Sequence, residues 1–220
     1  ARNVDTVDDV VRSHPDTALA LPLDVTDGLQ RRAVVDAAME RFGAIDVLVN
    51  NAGHGYRVAV EEARDDKVQQ LFATNFCGPV ALMQAVLPGM RKRRSGTIVN
   101  ISSGGARSFP LGAGHYVATK AALEAVTFSL RKEVQSLGIT VMAVEPGAFR
   151  TNYKRSLTQA EDVIGDYAET VGVRRRQDLT EHSLQPGDPR RAAEAIITAV
   201  QSPDTPRMLV LGPDALAWFR

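Results

Sequence analysis

Four short apolar runs recur along this chain with helix-like stretches between them: Ile45-Asp-Val-Leu-Val49, Thr97-Ile-Val-Asn-Ile101, Ile139-Thr-Val-Met-Ala-Val144 and Met208-Leu-Val-Leu211. Runs this short and continuous suit strands buried on both faces. The intervening stretches carry helix signals. Residues 5–13 read as a helix. Asp27 caps a second that runs to Arg41 and ends at Phe42-Gly43. A long helix spans about 65–93, with Pro79 and Pro88 as expected bends, and another spans 112–137. Asp188-Pro189 opens a helix to about residue 201, with proline in its first turn. Ala18-Leu-Ala-Leu-Pro-Leu23 reads as a further strand, and a short helix is expected near 158–171. Strands alternating with helices argue for an α/β fold, a parallel sheet covered on both faces.

At 220 residues the chain suits one domain with a full core. Acidic and basic residues number 26 each, which points away from a nucleic-acid surface or an anionic membrane as partner. The basic run Arg91-Lys-Arg-Arg94 suits a solvated helix end, where cations complement the dipole. One cysteine excludes an internal disulfide, and Cys77, mid-helix among apolar neighbours, reads as a small core residue. No stretch is expected to span a membrane and no signal peptide is seen, so a cytoplasmic protein is expected. No metal-ligand spacing stands out.

The chemistry gathers in Tyr116-Val-Ala-Thr-Lys120, thirteen residues beyond Ser103. A phenol and an ammonium four residues apart lie one helical turn apart on one face. A serine at the end of an apolar strand can point into the same cleft. Together they offer a proton donor, a charge that acidifies it, and a hydrogen-bond donor for a carbonyl oxygen. That is equipment for reducing a ketone or oxidising an alcohol. Tyr-x-x-x-Lys alone is a weak signal, and a core tyrosine with a surface lysine would give the same spacing; the preceding strand and serine favour catalysis.

The ordered set Leu23-Asp-Val25, Asn50-Asn-Ala-Gly53, Asn75, Asn100-Ile-Ser-Ser103, Tyr116 to Lys120 and Pro146-Gly-Ala-Phe-Arg-Thr151 resembles the short-chain dehydrogenase/reductases of the single-domain branch. The resemblance covers nearly the whole chain. It implies a Rossmann-like doubly wound parallel sheet in three layers, binding a dinucleotide at the carboxyl ends of its strands. The family's glycine-rich phosphate loop has no counterpart here, so the first β-α-β portion is expected to be missing, leaving an unpaired edge beside strand 45–49. The ending Asp214-Ala-Leu-Ala-Trp-Phe-Arg220 reads as a helix cut off as it begins.

The resemblance also implies roles. Tyr116 is the general acid in reduction and the base in oxidation. Lys120 favours the phenolate and holds the nicotinamide ribose. Ser103 stabilises charge on the substrate oxygen. Asn75 helps hold a water linked to the lysine; a polar residue satisfying a helix bend is the alternative. Asn51, Ala52 and Gly53 let backbone approach the adenosine ribose, though a structural turn predicts the same glycine. Asp24 and Val25 flank the adenine, unless Asp24 is a strand-end cap. Pro146, Gly147, Phe149 and Thr151 line the nicotinamide pocket; a plain turn is the alternative for Pro146-Gly147. Arg2 falls where a basic residue would take a 2′-phosphate, which favours NADP with NAD possible. Residues 152–187 form the variable lid. Tyr153, Leu157, Val163, Ile164, Tyr167 and Val171, with Phe109, Leu111 and Phe149, suggest a moderately apolar carbonyl or alcohol as substrate. His54 and His115 border the site, the latter expected to be solvated. The helices at 65–93 and 112–137 are the expected pairing surface of a homodimer or homotetramer. Two readings compete: an epimerase or dehydratase of the extended branch, and a catalytically inactive nucleotide-sensing or scaffold protein of the same fold.

Overall fold

The computed structural model describes residues 1–180 and 185–218. Its strands are β1 (Val47–Asn50), β2 (Tyr56–Arg57), β3 (Gly96–Ile101), β4 (Ile139–Pro146), β5 (Thr158–Gln159) and β6 (Met208–Leu211). The α-helices are α1 (Asp8–Ser13), α2 (Gly28–Phe42), α3 (Asp65–Phe72), α4 (Gly78–Arg93), α5 (Gly105–Ser108), α6 (Gly114–Val134), α7 (Val171–Thr180), α8 (Pro189–Gln201) and α9 (Pro213–Ala217). The main sheet runs β1-β3-β4-β6, and every pairing is parallel. Parallel neighbours need crossovers, and α3–α4, α6 and α7–α8 supply them in turn.

Successive strand residues serve opposite faces, as the pleat requires. Ile98 and Val141 meet Met83, Val86 and Met90 of α4 and Leu130 and Val134 of α6 on one face. Val99, Met142 and Val144 meet Ala199 of α8 on the other, with Ile196 and Val200 beside it. The result is the expected three-layer, Rossmann-like doubly wound sheet. Among the described residues β1 is an edge, and Val47 and Val49 are 42% and 49% exposed there.

Several local expectations differ. Residues 18–23 form no strand. Ala1 pairs with one end of this segment, accepting from the amide of Leu23 and donating to the carbonyl of Leu21, and a strand needs a partner along its length. Of the short helix expected near 158–171, the structure has one 3-10 turn, Gly165–Tyr167. Thr158 donates to the carbonyl of Gly55 and the amide of Ile164 to Glu62, so tertiary partners take the backbone bonds a helix would use, and α7 begins only at Val171. The long helix does deviate near Pro79, as a π-bulge at Ala73–Cys77. Pro79 has no N–H to give the carbonyl of Asn75, which loosens the ladder there. Cys77 is exposed rather than a core residue. Against expectation, the continuous helix Asp65–Arg93 is long and apolar enough to cross a membrane by length and composition. Its Leu71, Met83, Val86 and Met90 are buried in the fold, which accounts for that composition. Of the expected lid, residues 181–184 lie outside the described residues, as do 219 and 220 of the expected final helix.

Candidate active site

The carboxyl edge of the sheet gathers the chemistry. Past the end of β3, Ser102 still donates to the carbonyl of Val144, and Gly104 to that of Pro146, so the ladder carries Ser103 to the rim. The amide of Gly105 donates to Ser103 Oγ over 3.0 Å and fixes the hydroxyl. Helix α6 starts beside that rim, with Tyr116 in its first turn and Lys120 in its second. Ser103 and Tyr116 meet across Gly105, where a Cβ would stand 3.1 Å from Ser103 Oγ and 3.9 Å from Tyr116 Cε1. Lys120 Nζ donates to the carbonyl of Ile101 at 2.8 Å and lies 5.9 Å from the Tyr116 ring centroid. Serine, tyrosine and lysine therefore converge as expected.

Burial sets their electrostatics. It pushes the Tyr116 phenol above its ordinary value, while hydrogen bonds from Ser103 and Tyr153 and the charge of Arg57 pull it back. Burial takes Lys120 down to about 8, against the opposing pull of Glu124. A second cation near Tyr116, besides Lys120, is thus Arg57 of β2, which the sequence reading did not single out.

Asn75 is wholly buried in the π-bulge. Its Oδ1 accepts from the amide of His54 at 3.0 Å, and its Nδ2 donates to the carbonyl of His54 and to Thr119 Oγ1. Both amide hydrogens are spent, so its role here is to staple the 53–55 loop to α6. His54 is held below its ordinary value, chiefly by burial. His115 is not the solvated residue expected: its Nε2 is buried without a hydrogen-bond partner.

The residues proposed for a dinucleotide lie along the same rim. Asn51, Ala52 and Gly53 are exposed beyond β1. A Cβ on Gly53 would stand 3.2 Å from Asn75 Oδ1 and 3.4 Å from Lys120 Nζ, so the glycine keeps the backbone open beside the lysine. Val25 is buried against Gly78, where a Cβ would lie 2.9 Å from it. Asp24 Oδ1 accepts from both the amide and hydroxyl of Thr26, which hold its carboxyl below the usual range. The charge of Arg2 also lowers Asp24, placing the arginine on this side of the molecule. Gly147 and Ala148 follow β4 and pack on Asp214, whose Oδ2 accepts from the amide of Ala148 at 2.7 Å. Phe149 bridges Gly187, and the hydroxyl of Thr151 accepts from Tyr153 N. An open glycine cradle, a lysine ammonium and a buried unpartnered Asp214 Oδ1 at one rim fit a nicotinamide dinucleotide.

Sequence reasoning missed the anchoring of the lid. Arg57 Nε meets Asp178 Oδ2 at 2.7 Å with both side chains buried, and Arg57 Nη1 donates to the carbonyl of Leu111. Arg175 pairs with buried Glu62. Of the apolar residues expected on the lid, Val171 is buried, Val163 is exposed, and Tyr167 turns its hydroxyl to Glu61. Phe109, Leu111 and Trp218 are exposed, with Trp218 packed against Gly104.

Comparison with known proteins agrees with this geometry. The short chain dehydrogenase family profile matches residues 1–162. A crystal structure of a short-chain dehydrogenase from Streptomyces avermitilis superposes with a TM-score of 0.90 at 44% identity, over 99% of this chain and 80% of that one. The 3-ketodihydrosphingosine reductase of Bacteroides thetaiotaomicron is 36% identical over 88% of this chain and 72% of its own length. A gluconate 5-dehydrogenase from Burkholderia cenocepacia, solved with NADP and tartrate, superposes with a TM-score of 0.64 at 32% identity, over 70% of this chain and 62% of that one. The chain is a member of the short-chain dehydrogenase family of oxidoreductases.

Proposed function

We propose that this protein is an NADP(H)-dependent oxidoreductase acting on a carbonyl or alcohol group of a moderately apolar small molecule. The observation that carries the reading is Ser103 and Tyr116 meeting across Gly105, with Lys120 beneath them at the carboxyl edge of a parallel sheet. The nicotinamide, when bound, supplies or accepts the hydride. Tyr116 gives its phenolic proton to the oxygen of the carbonyl being reduced, and takes it back in oxidation. Ser103 turns its hydroxyl to the same oxygen and stabilises the charge that develops there. Lys120 spends one N–H on Ile101 and keeps others for ribose hydroxyls. Asn75 positions the loop that carries Gly53.

On the cofactor, Asn51, Ala52, Gly53, Asp24 and Val25 would take the adenosine half, and Pro146, Gly147, Phe149 and Thr151 the nicotinamide half. Arg2 suits a 2′-phosphate, and the gluconate 5-dehydrogenase relative was solved with NADP. Exposed Phe109, Leu111 and Trp218 near Ser103 and Tyr116 favour an apolar substrate body. Ala118, Ala121 and Ala125 form an exposed small-residue face on α6, which favours close pairing of two copies through this helix.

The test is Tyr116→Phe. The expected result is loss of NADPH-dependent reduction of a ketone panel by at least about a hundredfold, the scale of one acid–base group. Fluorescence titration should show NADPH binding unchanged. Undiminished turnover would overturn the assignment.

A further inference from the structure

Tyr153 stands on the lid segment, yet its ring reaches the catalytic tyrosine. The Tyr116 and Tyr153 centroids lie 5.8 Å apart with the rings tilted by 52°. The contact favours ionisation of Tyr116 and disfavours that of Tyr153. Room for this contact comes from Gly55: a Cβ there would stand 2.3 Å from the Tyr153 hydroxyl oxygen and 3.0 Å from Cζ. The backbone also aims the ring, through Tyr153 N on Thr151 Oγ1 and Ser156 Oγ on the carbonyl of Tyr153.

Counting hydrogen bonds decides what the contact can do. A phenol oxygen donates one and accepts two. In reduction Tyr116 gives its proton to the substrate, and its oxygen still has capacity for a donor from the lid. Tyr153 therefore need not leave when substrate binds.

We propose that Tyr153 is a positioning residue of the reaction: its hydroxyl donates to the Tyr116 oxygen, so Tyr116 is fully prepared for proton transfer only while the lid is seated. The proposal rests on Tyr116 being the acid–base group. Tyr153 suits the donor's part because burial and the neighbouring Tyr116 hold its own phenol well above the ordinary range, so it keeps its proton. The other charges around the pair are Arg57 of β2, Lys120 of α6 and Asp178 of α7. All three remain when only the Tyr153 hydroxyl is removed.

The test is Tyr153→Phe, read by absorbance titration of tyrosinate. Subtracting a Tyr116→Phe background in each case isolates the Tyr116 signal. Losing one donor to the phenolate should move the Tyr116 ionisation alkaline by about half to one pH unit, roughly three- to tenfold in its equilibrium constant. The alkaline limb of the oxidation rate should shift by the same amount. Gly55→Ala, which displaces the phenol sterically and keeps it in the chain, should give a shift of the same sign. An unmoved Tyr116 titration in both variants would overturn the proposal, including the case where substrate KM falls and Tyr153 proves a mere obstruction. The absorbance titration needs no turnover. Failure of the wider catalytic reading, seen as an active Tyr116→Phe variant, is therefore distinguishable from failure here.

Discussion

The two sides of the active-site cleft are built on different physics. The proposed cofactor side is the carboxyl edge of β1, β3 and β4, where a continuous parallel ladder runs from Val47↔Thr97 to Ile101↔Val144. The lid side has a ladder of only two pairs, Tyr56↔Thr158 and Arg57↔Gln159. It is held instead by buried charge. Arg57 meets Asp178, and Arg175 meets Glu62, whose carboxylate also accepts from the amides of Ala59 and Ile164. A ladder repeats one cheap interaction, so one lost contact costs little. A buried ion pair concentrates the constraint: it offers modest net stability when intact, but removing one partner strands the other. The lid should therefore respond to single substitutions far more sharply than the rim.

The largest expected effect follows from that asymmetry. Asp178→Ala leaves Arg57 buried, with only the carbonyl of Leu111 as an acceptor in this arrangement. Breaking such a pair costs on the order of 3–5 kcal/mol, concentrated in the lid. Limited proteolysis should then cut within the lid segment well before the sheet, while NADPH binding survives. Replacing both partners, Arg57→Met with Asp178→Leu, should restore part of the protection, because the buried Arg57 charge is gone and Arg174, the other partner of Asp178, is 35% exposed and can be hydrated. Parental resistance of the single variant would show that the pair does not hold the lid.

The cofactor side has one buried charge cluster of its own, which sharpens the contrast. Arg107 bridges Glu124 and Glu145 beneath the Ser103 loop, and Ser102 donates to Glu124. Burial and the charge of Glu124 raise Glu145 to about 7 from an ordinary 4.5. A carboxyl raised in the fold contributes stability that is fully present below about 4.5 and lost as pH rises to about 7. Glu145→Gln mimics the protonated form, able to accept from Arg107 and donate to Glu124. It should match the parent at low pH and exceed it above neutrality, by at most about 3 kcal/mol given the linkage. Urea unfolding at several pH values measures this. A constant difference across the window would mean that Glu145 does not titrate as described.

This division also explains what could be read in the sequence. β3 and β4 announced themselves as apolar runs because both faces of a central parallel strand are covered, whereas β1 carries the same pattern at an edge where Val47 and Val49 are exposed. Ser103, Tyr116 and Lys120 were found because one strand end and one helical turn place them, which is local geometry. The expected strand at 18–23 failed because its apolar pattern was right but strand pairing is non-local. The expected helix near 158–171 is cut down to the 3-10 turn Gly165–Tyr167, because backbone groups before it answer to Gly55 and Glu62, about a hundred residues away. Arg57, Arg175 and Asp178 were not singled out, since nothing in a sequence marks an arginine whose partner lies 121 residues downstream. Tyr153 was legible as a lid aromatic, but its reach to Tyr116 depends on the missing Cβ of Gly55.

An exposed lid contact is the control for all of this. Arg64 meets Glu161 at 2.6 Å and Asp66 at 3.1 Å, which on distance alone resembles the Arg57–Asp178 pair. The difference is water: Arg64 and Glu161 are 49% and 52% exposed, whereas Arg57 and Asp178 are 9% and 3%. Solvent and salt screen the exposed pair, and either partner alone is well hydrated. Arg64→Gln should therefore leave the melting temperature and the lid's protease resistance at parental values in physiological salt. Were Arg64→Gln to loosen the lid as much as Asp178→Ala, burial would not be what separates the two pairs. The lid would then be held by the number of its charge contacts rather than by their desolvation.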